Sequence, residues 1–362
     1  MRTKQLGKTE LELTVIGLGT WAIGGPWQVG WGPQDDNDSV STILRAIEGG
    51  INWIDTAAIY GCGHSEEVVG KTIKELGEKP IIATKCALLW DEKRRKVHCL
   101  DKASIKAECD ASLKRLGIER IDLYQMHWPE PDGKIEEAWE GMVELAEEGK
   151  VRYVGVSNFS VSQLERVRRI HPVASLQPPY SMIRRDVENE LLGYCRDNNI
   201  GVVCYSPMQK GLLTGKFNAQ RIAGLAPDDH RHRDKNFLEP KLSANLELVE
   251  GLRPMAERNG MTLAQLAIAW VLRADEVTAA IVGARRPEQI VETMTAAECE
   301  LADDEIAEIA VLLKKHAKKK KLMDTGTYGD KIRRKADKRV RIIEYSREGP
   351  VKEAFRATPQ EK

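Results

Sequence analysis

Eight short apolar runs rich in β-branched residues punctuate this chain, with helical stretches of 10 to 18 residues between most of them. The runs are TVIGLGTW (14–21), INWIDTA (51–57), PIIATKCA (80–87), IDLYQMHW (121–128), VRYVGVSN (151–158), ASLQPPYS (174–181), GVVCYSPM (201–208) and TAAIVGAR (278–285). Strands that alternate with helices build a parallel sheet from βα units. Eight is the number that closes a barrel, so the expected fold is an α/β (β/α)8 TIM barrel. The helical stretches, such as SEEVVGKTIKEL, SIKAECDASLKRLG and TLAQLAIAWVLRA, carry capping signals, several starting at Ser or Thr and ending near Gly. The spacing breaks once. Gln209 to Pro240, after the seventh strand, is too long for an ordinary connection and is expected to be a lid.

Charge divides the chain in two. From residue 314 to 362 there are 17 Lys plus Arg against 7 Asp plus Glu, a net of +10, which leaves 38 minus 48, or −10, for residues 1–313. The expected domains are therefore a barrel over 1–313 and a basic C-terminal extension over 314–362. Its runs KKHAKKKKL and KIRRKADKRVR have the charge to touch nucleic acid or an anionic surface. A solvated extension is the plainer reading. The N-terminus MRTKQLGKTELELTV has no apolar leader and no run reaches membrane-spanning length, so a cytoplasmic protein is expected. Seven scattered cysteines without a C-x-x-C pair fit reduced thiols rather than a disulfide or zinc framework.

In such a barrel the chemistry gathers where strands end and βα loops begin. Polar residues at those places are few: Asp55, Tyr60, Lys85, His127, Ser157, Asn158 and Gln177. A lysine ammonium beside a tyrosine favours the phenolate and lowers its pKa from about 10, while a carboxylate balances the buried ammonium. Tyr60 so tuned is a general acid, with Lys85 and Asp55 behind it and His127 able to hold a carbonyl oxygen. Ser65, Glu66 and Glu67, just after Tyr60, read as the start of a helix and nothing more.

Three motifs mislead. GLGTWA (17–22) follows a strand like a dinucleotide fingerprint, but the IGGPWQVGWGPQDD that follows cannot open the helix that fingerprint needs. The turn still brings Thr20 and Trp21 toward a cofactor. GLLTGKF has the wrong spacing for a phosphate loop, and HRHRD (230–234) is too crowded with arginine to hold a cation, so no metal is expected.

The segments GLGTWAIGG, IDTAAIYGCGHSEEVVG, IIATKCAL, IDLYQMHWP, GVSNFS, LQPPYS, YSPMQKGLLTGK and IVGARRPEQI, in that order, resemble the aldo-keto reductase superfamily over about residues 3 to 312. The resemblance is greatest to bacterial NADPH-dependent members of the general-stress type, whose long loop carries an element like the DDHR at 228–231. It implies NADPH-dependent reduction of aldehydes or ketones, with Tyr60, Asp55, Lys85 and His127 as the catalytic tetrad. It implies a cofactor, NADP(H), whose nicotinamide is held by Asp55, Ser157, Asn158 and Gln177 and stacked on Tyr205. Ser206, Pro207, Met208, Lys210, Gly211 and Leu212 would line its pyrophosphate. Gly283, Arg285 and Gln289 would grip the adenosine 2′-phosphate, with Arg286 open as a further contact, and Thr293 stands where many members have Asn. His127 favours carbonyl over carbon–carbon double-bond reduction, since relatives of the latter kind replace it. A cofactor-bound redox sensor with incidental turnover is the alternative on the same fold. Trp21, Trp27, Trp31, Trp90 and Trp128 fall at predicted strand ends or loops, and of these Trp21, Trp27, Trp90 and Trp128 are expected to wall the substrate pocket.

Overall fold

The computed structural model describes residues 1–324, and the chain divides into two compact units, Met1–Leu313 and Lys314–Lys362. The basic run at 331–341, with the rest of the extension beyond 324, lies outside the described residues.

All eight expected strands form, and they close into one barrel of parallel neighbours. They are β1 (Ile16–Gly19), β2 (Trp53–Asp55), β3 (Ile81–Cys86), β4 (Ile121–Met126), β5 (Val151–Ser157), β6 (Ser175–Gln177), β7 (Gly201–Tyr205) and β8 (Ala279–Gly283). Each is shorter than its apolar run. The surplus residues lie mostly past the strand's C-terminal end, in the loops where the site is built.

The two-residue period sorts the strand side chains. Ile54, Ile82, Tyr124, Val154, Leu176, Val202 and Val282 face outward into the shell under the helices. Trp53, Ala83, Leu123, Val203 and Ile281 face inward and fill the barrel floor. Moving two residues along on the inward face turns Trp53 into Asp55, Ala83 into Lys85, Leu123 into Gln125 and Val203 into Tyr205. An apolar floor thus gives way to a polar mouth. Gly17 is required by that floor, because a Cβ there would lie 2.1 Å from the Trp53 ring.

Six helices follow the first six strands: α1 (Asp36–Glu48), α2 (His64–Lys74), α3 (Lys102–Leu116), α4 (Ile135–Glu147), α5 (Val161–Arg168) and α6 (Leu191–Asp197). The chain then runs through α7 (Ala219–Ala223), α8 (Lys241–Arg258), α9 (Leu263–Leu272), α10 (Pro287–Met294) and α11 (Asp303–Asp324). Thr262 caps α9 in a capping box with Gln265, as TLAQ suggests. For α2 the expected Ser65 start is one residue late, and the cap is Gly63 at φ 99°. Ser65 is drawn inward: its hydroxyl bonds Thr20 Oγ1 at 2.8 Å and lies 3.0 Å from Thr56 Oγ1. Glu66 is also fully buried, accepting from Thr84 at 2.5 Å and from Arg115 at 2.7 Å. These residues tie α2 to the barrel and to α3, so they are more than a helix start.

Two hairpins have no counterpart in the sequence reading. One, Thr3–Gln5 with Glu12–Thr14, adds Leu6, Leu11 and Leu13 to the floor. The other, Leu88–Trp90 with Lys96–His98, follows β3 at the mouth. Three-residue strands are too short to show a period.

The long segment after β7 folds back on the loop after β1. The His230 backbone N–H donates to Gly30 O at 3.0 Å, and Arg233 reaches Gln28 O at 2.7 Å. Among the described residues all seven cysteines are free thiols, and no helix is long and apolar enough to cross a membrane.

Candidate active site

Asp55, Tyr60, Lys85 and His127 meet at the mouth, and the register explains how. β2 and β3 pair Asp55 with Ala83, which sets Lys85 one inward step beyond the carboxylate. The Lys85 ammonium donates to Asp55 Oδ1 at 2.6 Å, to Thr56 O at 2.8 Å and to Tyr60 Oη at 3.4 Å. A tight turn brings the tyrosine there: Gly61, at φ 67°, packs so closely on Gly24 that a Cβ would come within 2.0 Å of its carbonyl oxygen.

The expected downward shift of the Tyr60 pKa is not what this geometry produces. Burial, then the Asp55 and Tyr205 charges, push the phenol well above its ordinary value. Burial is the main cause, and the tight Asp55–Lys85 pair leaves little to oppose it. An ammonium 2.6 Å from a carboxylate presents little net charge to a third group. Burial likewise lowers the Lys85 pKa, with Asp55 opposing it.

His127 sits edge-on to Tyr60, ring centroids 5.8 Å apart. Burial, then Lys85, Lys96 and His98, hold its pKa well below the usual histidine value, so the ring is neutral. Its Nδ1 is buried without a hydrogen-bond partner. A lone pair there is less costly than an unsatisfied N–H, which assigns the proton to Nε2.

The residues expected around a nicotinamide form a connected network. Gln177 donates to Asp55 Oδ2 at 2.8 Å, Ser157 donates to the Gln177 carbonyl at 2.8 Å, and Asn158 donates to Ser157 Oγ and to His127 O, both at 3.0 Å. Tyr205 donates to Asn158 Oδ1 at 2.9 Å. Gln125, which the sequence reading omitted, lies beneath and accepts from Gln177 at 3.3 Å. Thr20 is wholly buried, and its hydroxyl bonds Asp55 O at 3.1 Å, so it fastens β1 to β2.

Ser206, Gln209, Lys210 and Gly211 all have positive φ, from 47° to 89°, in the segment that also carries Pro207, Met208 and Leu212. Within it the Gln209, Gly211 and Leu212 N–H groups donate to Ser206 O at 2.9 Å, Met208 O at 3.1 Å and Gln209 O at 3.1 Å, so the turn is held by its own backbone. Lys210 itself is held by Asp234 at 2.8 Å. Across the mouth, Arg285 donates from Nε to Gln34 Oε1 at 2.6 Å, from Nη1 to Trp31 O at 3.2 Å and from Nη2 to Pro33 O, and Gln289 Oε1 accepts from its backbone N–H at 2.8 Å. That guanidinium is spent on the loop after β1. Gly283 and Arg286 are exposed, and the Arg286 guanidinium makes no hydrogen bond or ion pair among the described residues.

Trp27, Tyr60, Trp90 and Trp128 each pack against the cluster of Ala57, Ile59 and Leu88. Trp21 lies 6.4 Å from Tyr60. Trp31 does something else: it meets Trp21 at 5.2 Å and His230 at 4.9 Å, under the Arg231 guanidinium at 4.6 Å. His230, weighed in the sequence only as a metal ligand, has Nδ1 3.0 Å from Gly30 O, and its partner lies 200 residues away, beyond any local signal.

Residues 15–314 match the profile of the Aldo/keto reductase family. The chain is 42% identical to the aldo-keto reductase YhdN of Bacillus subtilis (strain 168), over 80% of this chain and 87% of the relative. It is 36% identical to an NADH-specific methylglyoxal reductase of Escherichia coli (strain K12), over 84% and 95% respectively. Among solved structures, a glycerol dehydrogenase of Gluconobacter oxydans superposes with a TM-score of 0.79 at 37% identity, covering 87% of this chain and 95% of that one.

Proposed function

Since the chain belongs to the aldo/keto reductase family, we propose that it reduces aldehydes or ketones to alcohols with a nicotinamide cofactor, NADPH in preference to NADH, and with Tyr60 as the proton donor. The observation that carries this is the use of the Lys85 ammonium. Its three donors go to Asp55, Thr56 and Tyr60. The Tyr60 oxygen therefore accepts from Lys85 and keeps its own proton for another partner.

The residues at the mouth suit the cofactor: a tight turn with positive-φ residues after β7, an exposed Gly283, and Asn158 with Tyr205 lining the same mouth. When bound, the cofactor supplies a hydride. The protein's part is to hold and move a proton. Neutral His127 donates from Nε2 to the carbonyl oxygen, which fixes the carbonyl against Tyr60 and polarises it. As that oxygen gains charge, Tyr60 Oη passes its proton across. A phenol with a raised pKa is fully protonated at neutral pH, and an alkoxide is basic enough to take that proton. The phenolate left behind lies 3.4 Å from the Lys85 ammonium, which stabilises it until the proton is replaced.

For the cofactor's phosphate, Arg286 is the group with a guanidinium to offer, at the start of α10 and beside Gly283. Arg285 and Gln289 then act as the frame. This reading assigns the chemistry to residues 1–313 and leaves the extension over 314–362 outside it. Initial rates on a panel of simple aldehydes with NADPH and with NADH test it directly. Saturable consumption, faster at limiting NADPH, is expected; slow turnover with tightly retained cofactor would point to the sensor instead.

A further inference from the structure

We propose that Lys96 is a specificity residue that favours carbonyl substrates carrying an anionic group, such as a carboxylate, on the side of the molecule away from the reacting carbon. The proposal rests on the carbonyl-reduction reading and adds a substrate class to it.

Lys96 lies on the hairpin after β3, paired directly with Trp90. Directly opposed residues of an antiparallel pair project from the same face. Trp90, Tyr60 and Trp128 all pack against the same Ala57, Ile59 and Leu88 cluster, so Lys96 lies on the side of the hairpin that faces this aromatic wall. Its ammonium stands 5.9 Å over the Trp128 ring, and its backbone N–H is pinned by Gln28 Oε1 at 2.8 Å.

The two neighbouring guanidiniums already have partners. Arg95 pairs with Asp91 at 2.6 Å, and Arg94 donates to Gly61 O at 2.8 Å. His98 Nδ1 lies 3.4 Å from a Glu130 carboxylate oxygen, within ion-pair range though not in hydrogen-bond geometry. The Lys96 ammonium makes no ion pair or hydrogen bond among the described residues. His127 feels positive charge from Lys85, Lys96 and His98. Asp55 offsets the first and Glu130 faces the last, so of these three Lys96 is the uncompensated charge. Residues 1–313 carry a net −10 within a chain whose formal net charge is zero, so a local cation at the rim, not the net charge, is what would attract an anionic substrate.

The test uses 4-carboxybenzaldehyde and its neutral near-isostere 4-nitrobenzaldehyde, and reads the ratio of their kcat/KM values. Removing one rim charge in Lys96→Gln should lower the carboxy-to-nitro ratio about five-fold, and reversing it in Lys96→Glu about 25-fold, both effects shrinking in high salt. Lys93→Glu, on the same hairpin turn, should leave the ratio in place. An unchanged ratio in both Lys96 variants would overturn the proposal, as would an equal fall in Lys93→Glu. Should the parent protein reduce neither aldehyde, the carbonyl reading fails by itself. Terephthalate titrated against the tryptophan fluorescence then still decides on Lys96: weaker binding to Lys96→Glu supports it, and equal binding to parent and variant overturns it.

Discussion

The ammonium of Lys85 and the carboxylate of Asp55 meet at 2.6 Å with side-chain exposures of 0% and 4%. Neither charge is tolerable alone at that depth. Together they form a nearly neutral pair whose free donor faces Tyr60.

Tyr60→Phe removes one hydroxyl and its 3.4 Å contact with Lys85. Carbonyl reduction should fall by a factor of about 10² to 10⁴, the range ascribed to a general acid. Cofactor affinity and melting temperature should hardly move. Retained parental turnover with aldehydes would remove Tyr60 from the mechanism.

Lys85→Met leaves the Asp55 carboxylate buried with only Gln177 as a side-chain partner. A loss of about 3 to 5 kcal/mol in unfolding free energy is expected, as for other broken buried pairs. Adding Asp55→Asn removes the stranded charge and should restore most of that stability without restoring activity. Urea denaturation of the single and double variants measures both effects.

His230 makes stability depend on pH. Burial, aided by Lys210, lowers its pKa to about 4, and its Nε2 is buried without a partner. The unfolded chain therefore takes up the proton first, near pH ~6.5. Stability is complete above that value and is lost as pH falls toward about 4. Between pH ~7 and pH ~5 this one group accounts for roughly 2 kcal/mol. His230→Gln, which keeps a donor for Gly30 O, should flatten that part of the stability-versus-pH curve.

Arg286 and Arg285 should separate in cofactor kinetics. Arg286→Ala is expected to raise KM for NADPH about ten-fold or more and to leave that for NADH nearly unchanged, since a charged hydrogen-bonded phosphate contact is lost. Arg285→Ala breaks the contacts to Gln34, Trp31 and Pro33, so it should weaken both cofactors and lower thermal stability. Equal effects of Arg286→Ala on both cofactors would place the phosphate elsewhere.

The barrel was legible because its signal repeats: eight apolar runs, each bounded by a helix or a loop. That Asp55 and Lys85 stand together at the mouth was legible because the two-residue period carries Trp53 to Asp55 and Ala83 to Lys85 on one face. The hairpin bearing Lys96 was not, since Leu88–Trp90 and Lys96–His98 are too short for periodicity. Nor was the burial of Ser65 and Glu66, whose partners Thr20, just past β1, and Thr84, on β3, lie in distant segments of the chain.

What the sequence by itself determined was which side chains stand at the mouth of the barrel, because alternation along a strand is a local property. Only the tertiary structure decided which of them spend their charge on one another. Tyr60 is buried and Lys85 is neutralised by Asp55, so Tyr60 is a weaker acid than its neighbour suggests; Arg285 is consumed by the loop after β1, and Arg286 is not. Those outcomes depend on distances between segments remote in the chain and on how much water closure removes, and both arise only when the barrel is formed.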